Sequence, residues 1–167
     1  MMRARWREGC QVNVIFERKA PVLMTYLMEA FGFTVEQAAG IAGNAGHESN
    51  GMTDLHELGQ PANRGGYGWF QWTGPRRVDF MNWCKEREYD WTSDQANIGY
   101  LLHDLEVEYK GTVAAIHKTK TPYDACLAWE RNYERAGVIN MTSRYRWTDA
   151  ALLAYKEYQK ARTEVQS

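Results

Sequence analysis

Cysteine is scarce and badly placed for cross-linking. Cys10, Cys84 and Cys126 are widely spaced, odd in number and make no C-x-x-C pair, which excludes a disulfide framework and suits synthesis in a reducing cytosol. Long apolar runs are missing too. None approaches the ~18 residues of a membrane span. Behind Arg3, Arg5 and Arg7 the apolar stretch is only Val14-Ile15-Phe16, too short for a signal-peptide core. No membrane partner and no signal peptide are therefore expected, and action outside the cell of origin requires a separate means of release. Neither sign of charge dominates: 20 Lys and Arg face 21 Asp and Glu, a net charge of −1, so nothing favours nucleic acid.

Several catalytic motifs are also missing. His47-Glu48 begins like H-E-x-x-H, but Gly51 stands where the second His must be, and the zinc-protease motif fails. Ser49 has no glycine two residues before it, so there is no nucleophile elbow. Gly66-Tyr67-Gly68 is followed by Gln71 where a dinucleotide fingerprint needs glycine, and no P-loop occurs. His47, His56, His103 and His117 show no metal-ligand spacing. Neither metal nor cofactor is expected.

What is present describes one globular domain. The 167 residues are 44% hydrophobic and 25% charged, with no internal repeat, linker or low-complexity segment. Seven Trp and ten Tyr mean a large core or a stacking cleft. Residues 1–19 are basic and irregular, with Val12, Val14 and Phe16 alternating like a short strand. Pro21 suits the first position of a helix, in which Leu23, Tyr26, Leu27, Ala30 and Phe31 recur at helical steps until Gly32. The expected division is an N-terminal extension over 1–20 and a catalytic domain over 21–167.

Thr34 then caps a second helix, and Gln37 completes a capping box. Ala38, Ile41, Ala42 and Ala45 form its apolar stripe. Gly40, Gly43 and Gly46 line another face, each costing about 1 kcal/mol against alanine, so a close neighbour is expected there. Residues 49–66 read as a long loop or hairpin, and Tyr67 to Thr73 as a strand. Further helices are expected from Pro75, from Thr92 or Ser93, around 113–117, from Thr121 to Arg135, and from about Ser143 to Arg162. The predicted fold is α+β and mainly helical, with about seven helices and one small β element.

Glu48 is the leading candidate for chemistry. It lies three residues past Ala45 and continues the apolar stripe, so its carboxyl falls where core meets solvent. Partial desolvation raises a carboxyl's pKa, as a general acid requires. The following aromatic segment carries Gln71 between Trp69 and Trp72. An amide beside ring faces suits a sugar, whose hydroxyls need hydrogen bonds and whose C–H faces stack on aromatics. Asn44, one turn before Glu48, could orient it or merely satisfy the helix end.

The blocks Ala39-Gly40-Ile41-Ala42-Gly43-Asn44, His47-Glu48-Ser49, Gly66 to Arg77 and Trp129 to Gly137 together resemble the phage tail-lysozyme family of peptidoglycan hydrolases. The resemblance covers roughly residues 21–161. It implies a lysozyme-like fold, with a helical body and a small β-hairpin bordering the cleft. It also implies hydrolysis of bacterial cell-wall glycan between N-acetylmuramic acid and N-acetylglucosamine, with Glu48 as the catalytic acid. The Gly-x-Gly-x-x-Gln run is also similar to the substrate strand of goose-type lysozymes and lytic transglycosylases.

Glycoside hydrolysis usually needs a second carboxylate, ~5–5.5 Å away in retaining and ~6.5–9.5 Å in inverting enzymes. Glu57 has a spacing similar to that of some phage lysozymes, Asp54 is the alternative, and Thr73 could hold the water. Tyr67, Gln71, Trp72, Thr73 and Tyr133 are the candidate sugar-binding residues; for Tyr133, helix packing is the competing role. The partner is bacterial peptidoglycan and the protein a monomer. A resemblance of this kind implies synthesis in the host bacterial cytoplasm and action on the wall after release, holin-dependent or virion-borne. The competing functions are a lytic transglycosylase and a non-catalytic wall-binding or virion structural module.

Overall fold

The computed structural model describes the backbone of residues 2–166 and the side chains of residues 14–166. Among these residues the chain forms seven α-helices: α1 (Met2–Phe31), α2 (Val35–Glu48), α3 (Pro75–Glu86), α4 (Asp94–Val107), α5 (Lys110–His117), α6 (Pro122–Trp129) and α7 (Met141–Gln166). A π-helical turn, Glu130–Glu134, follows α6 directly. The mainly helical architecture is as expected. No helix of the described residues is long and apolar enough to cross a membrane.

α1 departs from the sequence expectation. Pro21 lies inside the helix and does not start it, and the backbone is helical where a short strand was expected at Val12 to Phe16. Proline inside a helix forfeits a hydrogen bond and crowds the preceding turn, at about 3 kcal/mol. The offset is burial. Phe16, Ala20, Leu23, Met24 and Leu27 form one continuous stripe, each 0% exposed, and a large apolar side chain contributes about 1.5–3 kcal/mol when buried. Phe16 meets the Trp147 ring edge-on, with centroids 4.8 Å apart. The helix therefore crosses residue 20 without a break. The side chains of Cys10 and Val12 lie outside the described residues.

α2 is the central helix, packed against α1, α6 and α7. Its start is the predicted capping box: the Gln37 amide donates to Thr34 Oγ1 at 3.1 Å, and the Thr34 amide donates to Gln37 Oε1 at 3.0 Å. The glycine face has the close neighbours that its composition implied. A Cβ at Gly40 would sit 2.5 Å from the Cys126 backbone nitrogen, and one at Gly46 2.7 Å from the Trp147 ring. α6 and α7 thus approach the α2 backbone itself.

The predicted β-hairpin and strand are corrected by the structure. No strand occurs among the described residues; two isolated antiparallel bridges, His56 with Tyr67 and Tyr67 with Trp72, tie the loops together. Tyr67 and Trp72 exchange amide-to-carbonyl hydrogen bonds of 3.0 and 2.9 Å, so the segment closes on itself as a tight turn. Left-handed backbone at Gly68 (φ +83°) and Gln71 (φ +49°) permits the reversal. Trp69, Phe70 and Trp72 are at most 1% exposed. Their aromatic character anchors the turn in the core instead of supplying one face of a sheet.

Candidate active site

Glu48 is the last residue of α2, and the chain turns away immediately after it. Ser49 caps the helix end, its hydroxyl donating to the Ala45 carbonyl at 2.7 Å and accepting from the Met52 amide at 3.1 Å. Asn50, Gly51 and Met52 all have positive φ. Left-handed backbone is uncommon for a side chain such as Met52, and its burial at 2% exposure holds it there. The three residues redirect the backbone while Glu48 stays in helical register at the edge of the core.

Arg144 on α7 holds Glu48. Its Nη2 donates to Glu48 Oε1 at 2.6 Å, and its Nη1 donates to Asn44 Oδ1 at 2.7 Å. Asn44 is in turn fixed by its Nδ2, which donates to the carbonyls of Gly40 at 2.9 Å and Cys126 at 3.1 Å. The Arg144 side chain is 1% exposed and that of Glu48 19%. Asn44 thus orients Glu48 through the guanidinium. Burial pushes the Glu48 carboxyl above its ordinary pKa; Arg144 opposes this by charge and hydrogen bond, and the charge of Glu130 reinforces it.

The π-helical turn brings a second carboxyl. Its five-residue span closes with the Arg135 amide donating to the Glu130 carbonyl at 2.6 Å, and Arg135 stops it in the left-handed region (φ 50°, ψ 46°). The Trp129 indole N–H donates to Glu134 Oε1 at 3.3 Å. Glu130, 2% exposed, accepts from the Ala136 amide at 3.1 Å. Burial pushes the Glu134 carboxyl well above its ordinary range, the charge of Glu48 adds to this, and Arg76 and Arg144 oppose it. π-turns inside helices recur at functional sites.

The sequence-predicted residues are dispersed differently. Glu57 is exposed on the loop, with its Oε2 accepting from the Gly66 amide at 3.0 Å. Asp54 Oδ2 accepts from Asn50 Nδ2 at 3.2 Å. Thr73 is exposed, and its carbonyl accepts from the Arg76 amide at 3.1 Å at the start of α3. Gln71 Nε2 donates to the carbonyls of Asp54 at 3.1 Å and Gly68 at 2.9 Å, so it pins the loop after Glu48 to the turn. Tyr67 is buried, stacks on His56 and donates its hydroxyl to the Ala62 carbonyl.

Trp72 and Tyr133, each 1% exposed, lie in a core chain of hydrogen bonds. Trp72 Nε1 donates to the Tyr133 hydroxyl at 2.9 Å, which donates to Asp104 Oδ2 at 2.7 Å. Arg76 closes the chain, 3.4 Å from Asp104 and over the Tyr133 ring at 4.2 Å. Glu57, Asp54 and Thr73 are not hydrogen-bond or ion-pair partners of Glu48 among the described residues; Arg144 is.

Arg144 and Glu134 were missed from the sequence. Arg144 left a faint signal: it falls in helical phase with Thr148, Ala151 and Tyr155, all buried on α7. A lone arginine on a buried stripe implies an internal partner. Glu134 left none, because the π-turn that aims it has no local pattern.

His47, next to Glu48, shares a 2.8 Å hydrogen bond through Nδ1 with Ser143 Oγ. Burial, and then the charge of Arg144, depress its pKa from 6.5 to about 4. A depressed folded-state pKa means that the unfolded chain binds the proton more readily. The stability this neutral histidine contributes is present above pH 6.5 and is lost as the pH falls towards about 4. Melting temperatures recorded across that window are expected to fall less steeply in His47→Gln than in the parent chain.

No cluster of three or more His, Cys, Asp or Glu side chains among the described residues forms a metal site. A helical body whose central helix ends on a half-buried glutamate fits the lysozyme-like class that the motifs imply. The chain belongs to the phage tail lysozyme family, whose model matches residues 19–158. No curated protein matches it. Family membership makes it a lysozyme-like enzyme, with peptidoglycan as the implied substrate.

Proposed function

We propose that the protein is a muramidase that hydrolyses the β-1,4 bond between N-acetylmuramic acid and N-acetylglucosamine, with Glu48 as general acid. The observation that carries this reading is the Glu48 carboxyl itself. It is partly desolvated at the end of α2, raised in pKa, and held in one direction by a buried arginine. Glu48 gives its proton to the leaving glycosidic oxygen as the bond to the anomeric carbon breaks. Water adds hydroxide to that carbon, and its remaining proton returns to Glu48 through the site or the solvent. Arg144 stabilises the carboxylate formed in between by a charge-assisted hydrogen bond.

Glu57 and Thr73, exposed on the loop and at its end, are the proposed groups that place the water. Gln71 and Tyr67 are proposed to border the bound sugar. Trp72 and Tyr133 contribute as the packing beneath the site. The enzyme is proposed to be made in the host cytoplasm as a monomer and to reach the wall after release.

Mass analysis of digested peptidoglycan tests the reading. Hydrolysis leaves fragments ending in reducing muramic acid. A lytic transglycosylase would leave the 1,6-anhydro form, and a non-catalytic wall-binding module would leave the polymer intact.

A further inference from the structure

A cavity opens between α1, α3 and α4, among residues that take no part in holding Glu48. Its volume is about 540 Å³, within the range of ligand pockets. Tyr26 of α1, Trp83 of α3, Tyr89 of the loop between α3 and α4, and Asp94, Gln95 and Gly99 of α4 line it.

The lining is built against local preference. α3 ends with the Glu88 amide donating to the Lys85 carbonyl at 3.2 Å and the Tyr89 amide donating to the Cys84 carbonyl at 2.9 Å. That pair of bonds is usually closed by a left-handed glycine. Here Glu88 takes the left-handed backbone, with φ +56°, a conformation unfavourable for a residue with a Cβ. The result is that Tyr89 folds back onto α3, its ring centroid 5.7 Å from that of Trp83 and edge-on at 64°. Arg87 fixes the indole from one face, its guanidinium 4.2 Å from the ring centroid and its Nη1 donating to the Trp83 carbonyl at 3.2 Å.

Gly99 lies inside α4, where glycine is disfavoured. A Cβ there would stand 2.8 Å from Trp83 Cη2, so the missing side chain admits the ring edge. The Trp83 indole N–H is buried with no hydrogen-bond partner among the described residues, which is costly for a donor. Three unfavourable features thus meet at one tryptophan on the wall of a cavity. Departures of this kind from local rules concentrate at functional sites.

The chemistry of the lining selects the ligand. Tyr26 is 48% exposed, an aromatic ring left open to solvent at the cavity, and Trp83 and Tyr89 are half-buried. Ring faces favour a surface rich in C–H groups, while the phenols and the Gln95 amide require hydrogen-bond partners. Asp94 is the only charged side chain among the described residues that line the cavity, and Lys19 pairs with it at 2.8 Å. No free charge is left for an ionic ligand. A neutral ring with apolar faces, hydroxyls and an acetamido group meets all of these demands. N-acetylglucosamine, the uncharged sugar of the substrate that the family implies, is such a ring.

We propose that this cavity is an auxiliary glycan-binding site that takes an N-acetylglucosamine unit of the cell-wall strand. The proposal rests on the reading of the protein as a peptidoglycan hydrolase. The site does not act on the bond that is cut. It holds the polymer at a second point, which raises the effective concentration of glycan at Glu48. The gain exists for a polymer and is lost for a fragment too short to occupy both sites.

The test uses the full 15N-labelled chain, with N,N′-diacetylchitobiose, the N-acetylglucosamine disaccharide, as the probe. The Trp83 indole N–H signal, assigned by its absence from Trp83→Phe, is expected to move saturably as the probe is added. Should Trp83→Phe not fold, through-bond spectra of the parent chain assign the same signal. Tyr26 and Gln95 are both exposed, so the double variant Tyr26→Ala/Gln95→Ala should keep its fold. It should bind the probe at Trp83 about tenfold more weakly. Its rate on intact sacculi, divided by its rate on a soluble tetrasaccharide, should fall about tenfold as well.

A Trp83 signal that stays still up to the solubility limit of the probe overturns the proposal. So does one that moves equally in the parent and the double variant, or an unchanged ratio of rates. A signal that moves with protein concentration and not with the probe assigns the cavity to a second copy of the chain, and also overturns it. Saturable binding at Trp83 in a protein that releases no reducing ends leaves the sugar site standing and sinks the hydrolase reading. Reducing ends from a protein whose Trp83 signal stays still sink the sugar site alone.

Discussion

Replacing Glu48 with glutamine is expected to reduce glycan cleavage by about 10²- to 10⁴-fold, the range supplied by a positioned general acid. The substitution keeps the shape of the side chain. The amide oxygen can still accept from Arg144 Nη2, which now donates to Glu48 Oε1 at 2.6 Å, so the helix end and its loop have no steric reason to move. What disappears is an acidic proton at the leaving oxygen. The buried Arg144 also loses its ion-pair partner, and such a loss ordinarily destabilises a protein. Here Arg144 keeps its 2.7 Å hydrogen bond to Asn44 Oδ1 and an oxygen acceptor at position 48. Rate of reducing-end release and melting temperature, measured together, should therefore separate: the first collapses while the second changes little.

Replacing Arg144 with methionine should act on stability and activity together. Arg144 is 1% exposed and bridges α7 to Asn44 and Glu48 on α2. Removing one partner of a buried pair costs about 3–5 kcal/mol, because the other is left desolvated. Glu48 can escape part of that cost by staying protonated. Without the guanidinium its folded-state pKa rises further above the unfolded value, so the folded chain holds the proton more tightly than the unfolded chain. The stability contributed by that proton is present in acid and is lost as the pH rises through the folded-state pKa. The melting-temperature deficit of the variant should be smaller at about pH 5 than at about pH 8. Cleavage should also fall by about 10²-fold, since a loosely held acid no longer meets the glycosidic oxygen in line. A deficit that is flat with pH would mean that Arg144 supports the fold without acting on Glu48.

Local chemistry made the central helix readable. The capping box at Thr34 and Gln37, the glycine face and the position of Glu48 at the helix end all depend on residues within a few positions of one another, and all appear in the structure. The errors came where distant contacts outweigh local preference. Pro21 is a fair helix start by its backbone geometry, but the buried stripe from Phe16 to Leu27 carries the helix through it. The aromatics of residues 67–72 look like strand residues. They are buried in succession, and left-handed backbone at Gly68 and Gln71 closes them into a turn.

The site divides in the same way. The placement of Glu48 was legible because its own helix announces it. Arg144, 96 residues further on, is joined to it only when α7 packs on α2, and Glu134 meets the Trp129 indole only because the π-turn redirects it. Helical phase alone could have marked Arg144, and nothing in the local pattern marks a π-turn. The loop residues Glu57 and Thr73 were singled out by spacing and by position after the supposed strand. Both residues are exposed, and among the described residues neither is a hydrogen-bond partner of Glu48.

The measurement that bears most directly on Glu48 as the acid of a glycan hydrolase is a side-by-side digest. Peptidoglycan is treated with the parent chain and with folded Glu48→Gln, and the products are weighed by mass spectrometry. The expected result is fragments ending in reducing muramic acid from the parent and undigested polymer from the variant. The same fragments from both proteins would contradict it.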